Sequence, residues 1–263
     1  MIDVNSVSFR YRKDCVLQDV SFQVSAGDFI GVIGPNGSGK TTLLKILCCF
    51  LSPQKGDVFI DQVPVKRMNR VDIARRVGMV PQETHFLFPF TGQEVVLMGR
   101  TPYLGHRLFE SEKDLEIARK AMEWTQTVPF SERPIDELSG GERKRLFIAR
   151  ALAQEPEVIL LDEPTANLDL HHQIDFLDLM LTLNREKGLT ILMASHDMNI
   201  ASEFCDRLLL LQKGTIHKEG SPEVVITQEN IQRVYGCNVW VDQHPFSGTP
   251  RVNLLKKNPH GRG

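Results

Sequence analysis

Residues 34–41 read Gly-Pro-Asn-Gly-Ser-Gly-Lys-Thr, the spacing G-x-x-x-x-G-K-[ST]. Glycines let a backbone curl until its N–H groups face inward, and such a nest holds phosphate oxygens. Lys40 then reaches the β- and γ-phosphates of a nucleotide, and the Thr41 hydroxyl is placed for Mg²⁺. The candidate ATP contacts are Gly34, Pro35, Asn36, Gly37, Ser38, Gly39, Lys40, Thr41 and Thr42. A second constellation lies at residues 158–163, Val-Ile-Leu-Leu-Asp-Glu, where an apolar run ends in two carboxylates. A strand buried on both faces would deliver Asp162 to the metal at its C-terminal edge, where open α/β sheets place their ligands. Glu163, one residue on, is suited to orienting or deprotonating an attacking water. Alone, such a pair serves equally well as a helix N-cap. With the phosphate loop it becomes the second half of a nucleotide-triphosphatase site, which small-molecule kinases share.

The elements around these residues suit them. Val4, Val7 and Phe9, then Val20, Phe22 and Val24, alternate as strands do. Residues 29–33, Phe-Ile-Gly-Val-Ile, run into the phosphate loop, and Leu43, Leu44, Ile46 and Leu47 come next at helical spacing. Strand, glycine turn, helix is the order a phosphate loop needs, because the positive end of the helix then faces the anion. Residues 56–60 and 77–80 read as further strands. Over about 85–155 the texture turns helical, with Leu115, Ala118 and Met122 expected on one face. Buried strands are expected again at 158–161, 190–194 and 208–211, with Lys213-Gly214 as a hairpin turn. The predicted fold is an α/β core interrupted by a helical subdomain, with a polar tail beyond Asn253.

Composition narrows the function classes. Hydrophobic residues make up 41% and charged residues 24%, as in ordinary globular proteins. A net charge of −2 argues against a nucleic-acid surface. No apolar run approaches the roughly 18–20 residues that span a bilayer, so a cytoplasmic chain is expected. The five cysteines show no CxxC spacing; Cys48 and Cys49 are expected as small buried residues on a helix. His171 and His172, adjacent on a helix, are expected on different faces and make a poor metal pair.

Residues 138–145 decide the class: they read LSGGERKR. A serine and two glycines open a helix whose apolar face includes Leu146, Ile148 and Ala149, leaving N–H groups and a hydroxyl to meet a phosphate. The stretch resembles the LSGGE(x)(x)R hallmark of the ABC ATPase family, and the resemblance covers residues 2–225. It implies a P-loop NTPase (RecA-like) core with an N-terminal antiparallel β subdomain and an inserted α-helical signature subdomain. The ATPase domain would span 1–240 and a short tail 241–263. It further implies a Q-loop at Val80-Pro81-Gln82, where Gln82 would touch Mg²⁺ or water. The D-loop would be Asn167-Leu168-Asp169, with Asp169 at the subunit interface. His196 would be the switch histidine and Tyr11 the residue stacking on adenine. Glu163, His196 and Gln82 are the implied catalytic residues, and Thr41, Gln82 and Asp162 the implied metal contacts.

In this family the signature residues Ser139, Gly140, Gly141 and Glu142 close on ATP held by a second subunit. The resemblance therefore implies a homodimer that uses ATP and Mg²⁺. It would dock on two transmembrane permease subunits at the cytoplasmic face of the cell membrane, served indirectly by an extracytoplasmic binding protein and without nucleic acid. Residues 90–105, FTGQEVVLMGRTPYLG, and 166–173, ANLDLHHQ, resemble the ATPases of iron-siderophore, haem and cobalamin importers. Gly92 replaces a commonly apolar residue and Tyr103 a frequent histidine; molybdate and tungstate importers look similar, and an exporter or soluble ABC protein is a more distant alternative. The groove formed by the Q-loop and the segment around Glu94 to Arg100 is expected to face the permease.

Overall fold

The computed structural model describes residues 1–82, 86, 88–166 and 168–256. β1 (Ile2–Tyr11) and β2 (Asp14–Val24) form an antiparallel hairpin. The burial pattern of β1 changes phase between Val4 and Val7, where the pairing slips and Ser6 takes a φ of 48°. Such a bulge turns the next side chains onto the other face. Ile2, Val4, Val7 and Phe9 are consequently all buried. β3 (Phe29–Ile33) leads into the glycine loop and α1 (Lys40–Leu47). β4 (Lys55–Ile60) and β5 (Val63–Pro64) then complete a four-stranded sheet in the order β2-β1-β4-β5.

After α2 (Arg70–Arg76) and β6 (Val77–Val80) the helical part begins, with α3 (Gly92–Leu97), α4 (Thr101–Leu104), α5 (Glu112–Trp124) and α6 (Gly140–Ala153). Reciprocal capping boxes start three of these: Thr91 with Glu94, Ser111 with Asp114, and Ser139 with Glu142. The core resumes with β7 (Val158–Asp162), α7 (Leu170–Lys187), β8 (Thr190–Ser195), α8 (Met198–Phe204), β9 (Arg207–Gln212) and β10 (Thr215–Gly220). α9 (Pro222–Val225), α10 (Gln228–Tyr235), β11 (Val239–Gln243) and β12 (Pro250–Leu254) come last.

Six strands form the central sheet in the order β10-β9-β3-β8-β7-β6, all parallel except β10. Residues along β3 alternate between two apolar clusters: Phe29 and Ile33 face the helical side, Ile30 and Val32 the side of α1 and the antiparallel sheet. β7 and β8 do the same. Burial on both faces explains why these strands are continuously apolar. The expected architecture, a parallel α/β core with an antiparallel β subdomain and a helical insertion, is the one observed.

Three expectations need correction. Leu115 is exposed, while Asp114 shares the buried face of α5 with Ala118, Ala121 and Met122 because it pairs with Arg100 and Arg107. Cys48 and Cys49 lie beyond the end of α1, half-buried, with Cys49 in a left-handed turn at φ 58°. The boundary drawn at residue 240 cuts β11, and in place of a tail β11 and β12 form a hairpin held on α8. There Asn199 grips Val252 at both backbone polar atoms (2.8 and 3.2 Å), and Ser202 donates to the Pro250 carbonyl at 2.7 Å. Residues 257–263 fall outside the described residues. Within 94–100, Val95, Val96, Gly99 and Arg100 are buried, Leu97 and Met98 are half-buried and Glu94 is exposed.

Candidate nucleotide site

The glycine loop is shaped by its close neighbours. Gly34 has φ 150° and any side chain there would lie 2.4 Å from the Leu211 carbonyl oxygen; Gly39 has φ 105° and abuts the Val16 carbonyl. Only glycine fits both. The β9–β10 turn, at Lys213-Gly214, braces the loop from below, Gly214 N–H donating to the Ser38 carbonyl at 3.1 Å. Helix α1 starts at Lys40, directly after the loop, so its unpaired N–H groups face the cavity.

That cavity, about 690 Å³, is walled by Asn36, Gly37, Ser38, Gly39, Lys40, Thr41 and Thr42, closed by Gln82, Glu163 and His196 from three further elements. Ala166, the first residue of the 166–173 stretch, and Val16, which nothing in the sequence pattern had marked, also line it. Lys40 Nζ donates to the Gly34 carbonyl at 2.8 Å and lies 3.8 Å from Glu163 Oε1. Burial pulls the ammonium pKa down, opposed by the charges of Glu163 and Asp162. Thr41 Oγ1 donates to Asp162 Oδ1 at 2.9 Å. Burial pushes the Asp162 carboxyl up, and the Thr41 hydrogen bond works against it.

Asp162 is buried and does not itself line the cavity, but it holds Thr41, which lines it together with Gln82; carboxylate, hydroxyl and amide oxygen make a set of hard oxygen donors. That chemistry fits a small divalent cation that keeps some of its waters, such as Mg²⁺. The folded chain bears a cost for this charge. Because burial raises the Asp162 pKa above its unfolded value, the ionised form weighs against folding at neutral pH, and the penalty fades as pH falls through the folded value. Asp162→Asn should therefore raise the melting temperature of the nucleotide-free chain. It should also remove the further rise that ATP with Mg²⁺ gives the parent. Thermal unfolding with and without nucleotide reads both effects.

Glu163 begins the loop after β7 in a left-handed conformation, φ 48°. Its carboxylate is held by His196: Oε2 lies 2.5 Å from His196 Nδ1 and accepts from the His196 backbone N–H at 3.2 Å. His196 itself is 62% exposed at the side chain, so its far ring edge is open to a ligand. Gln82 is tied from behind, its carbonyl accepting from Lys144 Nζ of α6 at 3.4 Å. This buried lysine carries no signal in the sequence pattern.

Ser139, Gly140, Gly141 and Glu142 are absent from the cavity wall. They form the capped tip of α6: Glu142 Oε2 accepts from Ser139 N–H at 2.8 Å, and Ser139 Oγ accepts from Glu142 N–H at 3.3 Å. The Ser139 side chain and backbone both bond the Glu142 carboxylate and hold its pKa below the ordinary range. Ser139 and Gly140 are exposed.

Residues 17–166 match the family model described as ABC transporter. This chain belongs to the ABC transporter family. The ferric enterobactin transport ATP-binding protein FepC of Escherichia coli (strain K12) is 38% identical over 242 residues, covering 92% of this chain and 89% of FepC. The petrobactin import ATP-binding protein FpuC of Bacillus anthracis is 37% identical over 256 residues, covering 96% and 94%. Among solved structures, the ATP-binding cassette MJ0796, a dimer in a post-hydrolysis state with ADP and Pi, superposes with a TM-score of 0.73 at 28% identity, covering 84% of this chain and 98% of that one. The chain is thus an ABC ATPase.

Other positions expected to serve the ABC ATPase sit away from the cavity wall. Tyr11 is 44% exposed and edge-on to Phe9 at 4.8 Å between ring centres. Asp169 caps α7, accepting from His172 N–H at 2.9 Å; Asn167 lies outside the described residues. His171 and His172, expected on different faces, lean together with ring centres 5.6 Å apart.

Proposed function

We propose that two copies of this ABC ATPase form an ATP clamp that powers import of a metal chelate, of the iron-siderophore, haem or cobalamin class, through permease subunits on other chains. One observation carries the clamp: the phosphate-loop cavity and the LSGGE tip do not share a wall, so each nucleotide site is half-built within a single chain. A second copy, related by a two-fold axis, completes both sites at once.

In that clamp the phosphate-loop amides and Lys40 hold the ATP phosphates. Lys40, whose Nζ lies beside the Gly34 carbonyl at the mouth of the loop, would reach the β- and γ-oxygens. Glu163, steadied by His196, accepts a proton from the attacking water, and His196 presents its exposed edge to the γ-phosphate. Thr41, Asp162 and Gln82 would hold Mg²⁺, which supplies charge neutralisation between the phosphate oxygens. Ser139 and the Gly141 N–H of the other copy add charge-assisted hydrogen bonds that exist only while the γ-phosphate is there. Tyr11 would stack on the adenine.

No helix among the described residues is long and apolar enough to cross a membrane, so the translocation path would lie on separate chains and this subunit would sit on the membrane's cytoplasmic face. An extracytoplasmic binding protein would deliver the cargo. The groove for the permease is a cavity of about 500 Å³ lined by Phe50, Ile73, Met79, Met98 and Arg150 among others. The chelate assignment is supported by FepC and FpuC and by the residues at 90–105.

The test is uptake. A strain lacking the chain should lose transport of a ferric siderophore or a corrinoid, regaining it with the parent and not with Lys40→Ala. Loss of molybdate uptake instead would overturn the cargo assignment. Glu163→Gln protein that stayed monomeric with ATP and Mg²⁺, even with permease supplied, would overturn the clamp.

A further inference from the structure

The two glycines at the tip of α6 have different surroundings. A side chain at Gly140 would meet nothing within 4 Å. One at Gly141 would lie 2.7 Å from Cδ2 and 3.1 Å from Nε2 of His172. The imidazole of His172, in the first turn of α7, therefore fills the space behind Gly141. The backbone that carries it is anchored by the α7 cap, the His172 backbone N–H donating to Asp169 Oδ1 at 2.9 Å. The next residue, Gln173, points its side-chain amide the other way, donating to the Leu168 carbonyl at 2.9 Å and reaching that of Thr165 at 3.5 Å. That loop is the one Glu163 begins, and its first turn is closed by Ala166 N–H on the Glu163 carbonyl at 3.2 Å.

We propose that His172 is a positioning residue for the nucleotide of the partner copy, and that with Gln173 it couples the signature tip to the loop that carries Glu163. The proposal rests on the clamp reading above. A phosphate is gripped by backbone N–H groups only when these are held to within about half an ångström. The Ser139–Glu142 capping box closes the first turn, but the two glycines within it have no side chains to pack and the widest backbone freedom. It also belongs to the helical insertion, whereas α7 belongs to the core, and packed elements of this sort slide past one another when ligands bind. The His172 ring is the contact that registers one against the other at the point where the partner's γ-phosphate would lie. His171 next to it does no such work: it is 81% exposed and pairs with Asp175 at 3.6 Å within α7.

The experiment uses the full chain carrying Glu163→Gln and reads ATP- and Mg²⁺-driven pairing by sedimentation, with permease supplied in a parallel series. Binding of a fluorescent ATP analogue to the separate subunit is measured beside it. His172→Ala should raise the ATP concentration needed for pairing about tenfold or more, with single-subunit binding within about twofold. His172→Phe, which keeps a flat ring behind Gly141, should pair within about threefold of the parent. Gly141→Ala should block pairing, and adding His172→Ala should restore much of it, because the new methyl takes the place of the ring. Pairing of His172→Ala at parental ATP concentrations overturns the proposal while leaving the clamp intact, as does a Gly141→Ala defect that His172→Ala fails to relieve. Absence of pairing in the Glu163→Gln parent itself overturns clamp and proposal together.

Discussion

Glu163→Gln should bind ATP as the parent does and hydrolyse it about a hundredfold more slowly, or worse. The substitution keeps the length and hydrogen-bonding reach of the side chain, so the cavity wall and the contact with His196 persist. The capacity to take a proton is lost. A positioned general base contributes about 10²–10⁴ in rate, which sets the size of the loss. The geometry explains why no neighbour takes over: Asp162 is committed to Thr41 and its carboxyl is pushed toward the neutral form by burial, while His196 has one ring nitrogen on Glu163 itself. His196→Ala should also slow turnover, and the double variant should be little worse than the slower single one, because the two side chains act as a unit. Single-turnover phosphate release measures each. Near-parental release by Glu163→Gln would remove this residue from the proton transfer, and fully multiplicative losses would mean that the 2.5 Å contact has no part in catalysis.

How much of this could be read from the chain alone depended on whether the relevant contacts were local. The phosphate loop, the strand ending in Asp162 and the capped tip at Ser139 are each contiguous, with glycine, carboxylate and serine at fixed offsets, and each formed where its pattern placed it. Contacts between distant segments left no such trace. The slip in β1 at Ser6 could not be seen because it answers to pairing with β2 and β4. Leu115 looked like a core residue by spacing, yet an aspartate took the buried face, since two arginines from another segment meet it there. Polar composition hid the β11–β12 hairpin, whose stability comes from Asn199 and Ser202 on α8. The prop that His172 gives Gly141 and the grip of Lys144 on Gln82 join residues 31 and 62 positions apart, and only the packed subdomain brings them together.

Arg100→Met should destabilise the helical insertion by about 3–5 kcal/mol, the cost of stranding one member of a buried ion pair. Arg100 is 2% exposed and engaged on several sides: Nε lies 3.1 Å from Asp114 Oδ1, Nη1 donates to the Ala153 carbonyl at 2.6 Å and to Glu155 Oε2 at 2.8 Å, and the Tyr103 ring lies 3.9 Å from Cζ. Methionine fills much of the space but leaves Asp114 buried with only Ser111 and the half-exposed Arg107 to satisfy it. At roughly 2–4 °C per kcal/mol the melting temperature should fall by roughly 6–20 °C. The acid side carries a second signature. Burial alone would push the Asp114 carboxyl up, but hydrogen bonds from Ser111, Arg100 and Arg107 outweigh it and hold the pKa far below the ordinary range. A depressed carboxylate stabilises the fold above its unfolded pKa, about 3.9, and that contribution disappears as pH falls toward the folded value. The parent should therefore lose stability steadily below about pH 4, and Arg100→Met should show a shallower loss, having already given up part of the contribution. Adding Asp114→Asn to Arg100→Met should recover part of the lost stability at pH 7, since the uncompensated buried charge is gone. The residue lies in the segment that sequence alone would turn toward the permease, so the two roles make opposite forecasts. An Arg100→Met chain that melts with the parent but no longer responds to permease would mean that this guanidinium serves docking; a chain that melts early, and whose permease response returns on cooling, means that it holds the insertion together.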